Sequence, residues 1–165
     1  MGETMLERYA MTSPKNRINI LSMIAEVEEA IAYLYQAYAD SFPEYKLWSG
    51  LVVEQIDSAD LVRGLTRKAG EGSMQFYENK VHVERMHSFQ NRLQSELARA
   101  KEKGISLANA LSIALDIEKN LERREYLEAF DTNTLEAANL LSMLAEMTDR
   151  RIKLIEKHLE SQRLQ

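Results

Sequence analysis

Ile117-Glu118-Lys119 and, far upstream, Val27-Glu28-Glu29 decide how the chain is read. In each, a glutamate interrupts an otherwise apolar stripe at helical spacing. The upstream stripe runs Leu21, Ile24, Glu28, Ile31, Tyr35; the downstream one runs Leu107, Leu111, Ala114, Glu118, Leu121, Glu125. Residues three, four and seven apart share one face of an α-helix, so these carboxylates point where the leucines point. An ionised carboxylate taken out of water is costly unless a cation, hydrogen bonds or a metal compensates it. Two such acids on two core helices require partners on the helices packed against them.

Working outward, the chain punctuates itself with few breakers. Ser13-Pro14 reads as an N-cap followed by proline at the first helical position, which starts a helix over about 14–39. Phe42-Pro43-Glu44 predicts a tight turn, and a second helix over about 44–68 ends at Gly70 and Gly72. So short a turn lays the two helices antiparallel. Val81-His82-Val83 alternates like an extended segment. From Arg85 the stripe Met86, Phe89, Leu93, Leu97, Ala100 predicts a connecting helix over about 85–103, closed by Gly104. Ser106 caps a helix over about 107–130, and Asp131-Thr132-Asn133-Thr134 forms a polar turn before a last helix over about 135–160. The expected fold is all-α, a bundle of four helices in two hairpins with a long crossover that carries an extra helix. Residues 1–13 form an arm, and 1–165 is one domain.

The chain has 165 residues, no cysteine and a net charge of −5. That length buries a full core without staples. The missing thiols exclude disulfides, thiolate metal sites and thiol catalysis within the chain. An acidic balance argues against nucleic acid as a partner. No apolar run reaches the length of a membrane span, and a cytoplasmic location is expected.

Ala25-Glu26-Val27-Glu28-Glu29-Ala30-Ile31-Ala32-Tyr33-Leu34-Tyr35, followed by Phe42-Pro43-Glu44 and Trp48, resembles the first hairpin of rubrerythrin-like proteins of the ferritin superfamily. Gly104-Ile105-Ser106-Leu107 through Ala110-Leu111, with Ala114-Leu115-Asp116-Ile117-Glu118, resembles the start of their third bundle helix. The resemblance spans about residues 14 to 160. It implies a ferritin-like bundle in which the first and third helices each give one glutamate and the second and fourth each give a Glu-x-x-His pair. In that family these hold two irons that react with peroxide or dioxygen.

The chain departs from that pattern at the chemistry. Neither the second nor the fourth helix holds Glu-x-x-His. Glu54-x-x-Asp57 and Glu146-x-x-Asp149 are near-matches, with aspartate in the histidine place. On the fourth helix the apolar face is Leu141, Leu144, Thr148, Ile152, Ile155 and Leu159, and Glu146 lies roughly 160° from Thr148, facing water. On the second helix the stripe is Leu47, Leu51, Gln55, Ser58, Val62 and Leu65, with Glu54 at its edge and Asp57 off it. The inward pairs are therefore Gln55-x-x-Ser58 and Thr148-x-x-Arg151. The former metal site then reads Glu28, Gln55, Ser58, Glu118, Glu125, Thr148 and Arg151, a set poor in the imidazole and carboxylate that suit iron.

Arg151 supplies the charge the metals would have carried. It lies within roughly 60° of Thr148 on the core side, and a guanidinium grips carboxylates bidentately. The expectation is that Arg151 pairs with Glu118 or Glu28, that Gln55 and Ser58 satisfy further oxygens, and that any unpaired acid is protonated. Tyr33, Tyr35, Tyr38 and Tyr126 read as core aromatics with hydroxyls at the rim. His82, His87 and His158 lack a histidine partner at a ligand spacing. Met23, Met143 and Met147 read as core filler.

Three functions follow. The first is a metal-free or weakly metal-binding pseudoenzyme that acts through binding or assembly, as a homodimer or beside a redox partner protein, with no cofactor. The second is a non-haem oxidoreductase or peroxidase holding two iron or manganese ions on Glu28, Glu118 and Glu54, with Asp57 or Glu125 recruited as further ligands. The third is a small-molecule binder that uses the polar core. An apolar patch of Phe42, Tyr45 and Trp48 beside the first turn is one surface on which a dimer would pack.

Overall fold

The computed structural model describes residues 10–11, 14–70, 74–78, 80–102, 104–122, 130–132 and 135–164. Five helices carry the described fold: α1 (Pro14–Ser41), α2 (Leu47–Gly70), α3 (Lys80–Glu102), α4 (Leu107–Glu122) and α5 (Leu135–Arg163). The class is all-α. Three short strands, β1 (Ala10–Met11), β2 (Met74–Glu78) and β3 (Phe130–Thr132), pair antiparallel in the order β1-β2-β3.

α1 and α2 form a hairpin, closed where Tyr45 N–H donates to the Phe42 carbonyl at 3.0 Å around Pro43, a β-turn with proline at its favoured second position. α4 packs on α5, α3 lies along α1, and α2 meets α5. The apolar stripes face one another. Leu21, Ile24, Ile31 and Tyr35 of α1, Leu51, Val62 and Leu65 of α2, Leu111, Ala114 and Ile117 of α4, and Leu144, Ile152, Ile155 and Leu159 of α5 are all buried. The stripe of α3 is shallower, with Met86, Leu93 and Ala100 buried and Phe89 and Leu97 half-buried. Gly104 ends that connection in the left-handed region (φ 67°), where a side chain would be strained. Ser106 then caps α4, its hydroxyl accepting from the Asn109 N–H at 3.1 Å.

The structure corrects the sequence reading in four places. The extended stretch is Met74–Glu78, and Val81-His82-Val83 lies inside α3, which begins at Lys80. Met74, Phe76 and Tyr77 carry the higher strand preference, and two segments supply partners: Met74 pairs with Thr132 and Phe76 with Phe130, while Tyr77 pairs with Met11. For the same reason Asp131-Thr132 is paired strand rather than turn, and Phe130 opens that strand rather than closing a helix; α4 is described as far as Glu122. Trp48 is no surface patch. It is fully buried, its ring 4.8 Å from that of Tyr38 and 5.8 Å from that of Tyr35. Met143 and Tyr33 are exposed rather than core residues, Tyr33 at 64 %.

Candidate functional site

Four helices place polar side chains where their stripes converge. α1 brings Glu28 and Tyr35, α2 brings Gln55 and Ser58, α4 brings Glu118, and α5 brings Thr148 and Arg151. None of these seven is more than 2 % exposed. Polar groups so deep must satisfy one another, because water does not reach them.

Arg151 is the hub. Its Nε donates to Glu118 Oε1 at 3.1 Å, one terminal nitrogen donates to Ser58 Oγ at 3.2 Å, and the other donates to Thr148 Oγ1 at 3.2 Å. Thr148 passes its own proton to the Leu144 carbonyl at 3.0 Å, a bond back along the helix. Ser58 Oγ lies 4.0 Å from Met147 Sδ, a weak acceptor. The guanidinium thereby ties α5 to α4 and to α2. α1 is tied in by two bonds: Tyr35 donates its hydroxyl to Glu118 Oε1 at 2.8 Å, and Gln55 Nε2 donates to Glu28 Oε2. Glu118 and Glu28 thus each have a named hydrogen-bond donor.

Charges here are set by burial and by one another. Burial pushes the Glu118 carboxyl above the usual carboxylate range, and Glu28 adds to it, against the opposing pull of Arg151 and the Tyr35 hydroxyl. Burial and the Glu118 charge hold the Tyr35 phenol well above its ordinary value, so it stays a donor. For Arg151, burial works against the charge, but Glu118 and Glu28 outweigh it and the guanidinium is held more firmly protonated than in water. Two acceptors are left over: among the described residues Glu118 Oε2 and Gln55 Oε1 are buried with no hydrogen-bond partner.

Glu54 is half-buried and Asp57 exposed on α2. Glu146 is exposed, and Asp149 is bound at 2.9 Å by Lys153 on the surface of α5. Glu125 and Tyr126 lie outside the described residues. His87 is exposed, while His158 Nδ1 meets the Tyr45 hydroxyl at 2.6 Å, joining α5 to the first turn. Among the described residues no three of His, Asp and Glu stand together as metal ligands. Two carboxylates, an amide, two hydroxyls and a resident guanidinium do not fit a pair of iron ions, which take carboxylate and imidazole and repel a fixed cation. A groove of about 550 Å³ lies elsewhere, between α1 and α3, lined by Tyr33, Gln36, Asp40, Leu97 and Lys101 among others, and shares no residue with the buried cluster.

Tyr35 is the member whose role the sequence reading missed: its hydroxyl sits at Glu118, not at the rim. The available signal was its spacing, seven residues after Glu28 on the same face. No described helix is long and apolar enough to cross a membrane. Comparison with protein-family models, with curated proteins and with solved structures finds no match for this chain.

Proposed function

We propose that the chain is a ferritin-like, rubrerythrin-related four-helix bundle whose di-metal centre has given way to an internal ion-pair network, and that it acts through binding or assembly rather than metal chemistry. One observation carries the reading. Arg151 is buried among polar residues of four helices at the inward i+3 position of Thr148-x-x-Arg151, where the related bundles place a histidine ligand. Gln55-x-x-Ser58 occupies the equivalent inward pair on α2, and Glu28 and Glu118 supply the two single acids.

In this reading the network does for the fold what the metals do in an active relative. It holds four helices together through charge-assisted hydrogen bonds, without an oxidant or a reducible centre. The protein then works as a partner-binding subunit or as a homodimer in the cytoplasm.

Metal analysis of protein freshly purified from cells grown with iron and manganese is the test. The expected result is well under one metal per chain. About two equivalents of iron or manganese, the complement of a di-metal bundle, would sink the reading and restore the oxidoreductase with Glu54 as a substitute ligand. Sedimentation equilibrium tests the dimer separately.

A further inference from the structure

We infer that the outer face of α2 is where a second copy of the chain packs, antiparallel and centred on Val53. The inference gives the homodimer of the proposed function its surface. It rests on the assembly half of that reading and not on the ferritin-like kinship. The face runs from Lys46, the residue before α2, through Gly50, Val53 and Ile56 to Asp60, at steps of three and four that share one side of a helix. All five are exposed, on the side opposite the buried Gln55 and Ser58.

Val53 is 59 % and Ile56 45 % exposed. Among the described residues they are the two large exposed apolar side chains that stand one helical turn apart, so they form a patch where the others are scattered singly. Gly50 lies one turn before Val53, and a β-carbon there would meet no atom within 4 Å. Nothing among the described residues packs where its side chain would be, so the subunit's own packing does not require glycine there. Its missing side chain does let a second helix come close.

The order of charges selects a second copy as the occupant. A twofold axis through Val53 sets residues at equal steps before and after it against each other. Val53 then meets the partner's Val53, and Ile56 lies over the partner's Gly50, three steps either side of the axis. Asp57 faces the partner's Ser49, a small polar residue, and Asp60 faces the partner's Lys46, seven steps either side. Symmetry repeats each contact, so an apolar centre is flanked by an ion pair at both ends, the core and rim of a protein interface. Moving the axis between Val53 and Ile56 brings Lys46 onto the partner's Arg63, cation against cation, which disfavours that register.

Sedimentation equilibrium of the full chain over a concentration series is the test, with circular dichroism to follow helicity. Wild type should dimerise. Val53→Asp sets two like charges against each other on the axis and should raise the dimer Kd about a hundredfold. Helicity should not change, because the side chain is exposed. Lys46→Glu and Asp60→Lys, each alone, bring like charges together at both ends and should each raise Kd about tenfold. The two combined restore opposite charges and should return Kd to within about threefold of wild type, a rescue that an effect on folding would not produce. A wild type that stays monomeric overturns this surface and the assembly reading together, whether the face then serves another protein or none. A dimer that survives Val53→Asp, or charge reversals without rescue, overturns the surface alone and leaves the homodimer and the metal-free core standing.

Discussion

Arg151 Nε meets Glu118 Oε1 at 3.1 Å with both side chains wholly buried, and one residue further along α4 Lys119 meets Glu156 of α5 at 3.5 Å with both half in water. The same two helices thus hold an ion pair of each kind, side by side in sequence. Buried pairs and exposed pairs obey different arithmetic. Inside, removing one partner strands the other charge in a medium that cannot solvate it, at a cost of roughly 3–5 kcal/mol. At the surface, screening and side-chain entropy leave about 0–1 kcal/mol.

Arg151→Ala is therefore expected to lower the urea-unfolding free energy by about 3–5 kcal/mol in metal-free buffer, and Lys119→Ala by under about 1 kcal/mol. Equal losses for the two variants would show that Arg151 is not the hub of the core. Raising the salt concentration should erase the Lys119 effect and leave the Arg151 effect nearly intact, since buried pairs are screened far less.

Tyr35→Phe isolates a single hydroxyl. The phenol donates to Glu118 at 2.8 Å, and its ring packs on Trp48. Phenylalanine keeps the ring and loses only the bond to the carboxylate, for about 1.5–3 kcal/mol. A double-mutant cycle with Glu118→Gln should show coupling between the two positions. Additive losses would mean that the hydroxyl and the carboxylate do not interact in solution.

The pH dependence follows from Glu118, whose folded pKa lies above its ordinary 4.5 because burial and Glu28 outweigh Arg151 and Tyr35. Between 4.5 and the raised value the folded chain keeps a proton that the unfolded chain has released. The native state binds more protons there, so stability falls as pH rises through that window and levels off above it. Arg151 is silent in this range: its raised pKa preserves a contribution that is lost only in strong alkali. Wild type should therefore lose stability relative to Glu118→Gln as pH climbs from about 4 toward neutrality. A difference between the two that stays flat with pH would contradict the raised carboxyl.

The all-α class is legible because the apolar period of 3.6 persists through every long segment, and the inward angles of Glu28, Gln55, Ser58, Glu118, Thr148 and Arg151 follow from the same stripes. Those six are the buried polar and charged residues of the described chain. A helical wheel gives angle and not depth, so it cannot say that Tyr35 reaches Glu118 or that Gln55 serves Glu28. It also cannot see a pairing between segments distant in sequence. Read alone, Met74–Glu78 shows no clear period and Phe130–Thr132 reads as a helix end running into a polar turn; Met74–Phe76 and Phe130–Thr132 become strand because each is the other's partner. Trp48 leaves the surface for a related reason: its place next to a turn suggests exposure, whereas Tyr35 and Tyr38 of the facing helix enclose it.

Trp48 is the chain's single tryptophan, and its placement makes it an optical reporter of that enclosure. The indole is fully buried between the rings of Tyr35 and Tyr38, and its Nε1–H has no acceptor among the described residues. Emission from the folded protein should sit in the blue range of a dry indole and move to the red on unfolding. Trp48→Phe removes apolar area but also the unsatisfied N–H, whose burial costs about 1–3 kcal/mol. Its net loss should therefore be small, about 1–2 kcal/mol, well below the 3–5 kcal/mol usual for truncating a buried tryptophan to alanine. Trp48→Ala measured beside it should show that full loss, because alanine leaves a cavity between α1 and α2 that Tyr35 and Tyr38 cannot close while Tyr35 is held at Glu118. If phenylalanine proves as damaging as alanine, the indole N–H has a partner in solution and the packing around Trp48 differs from that described.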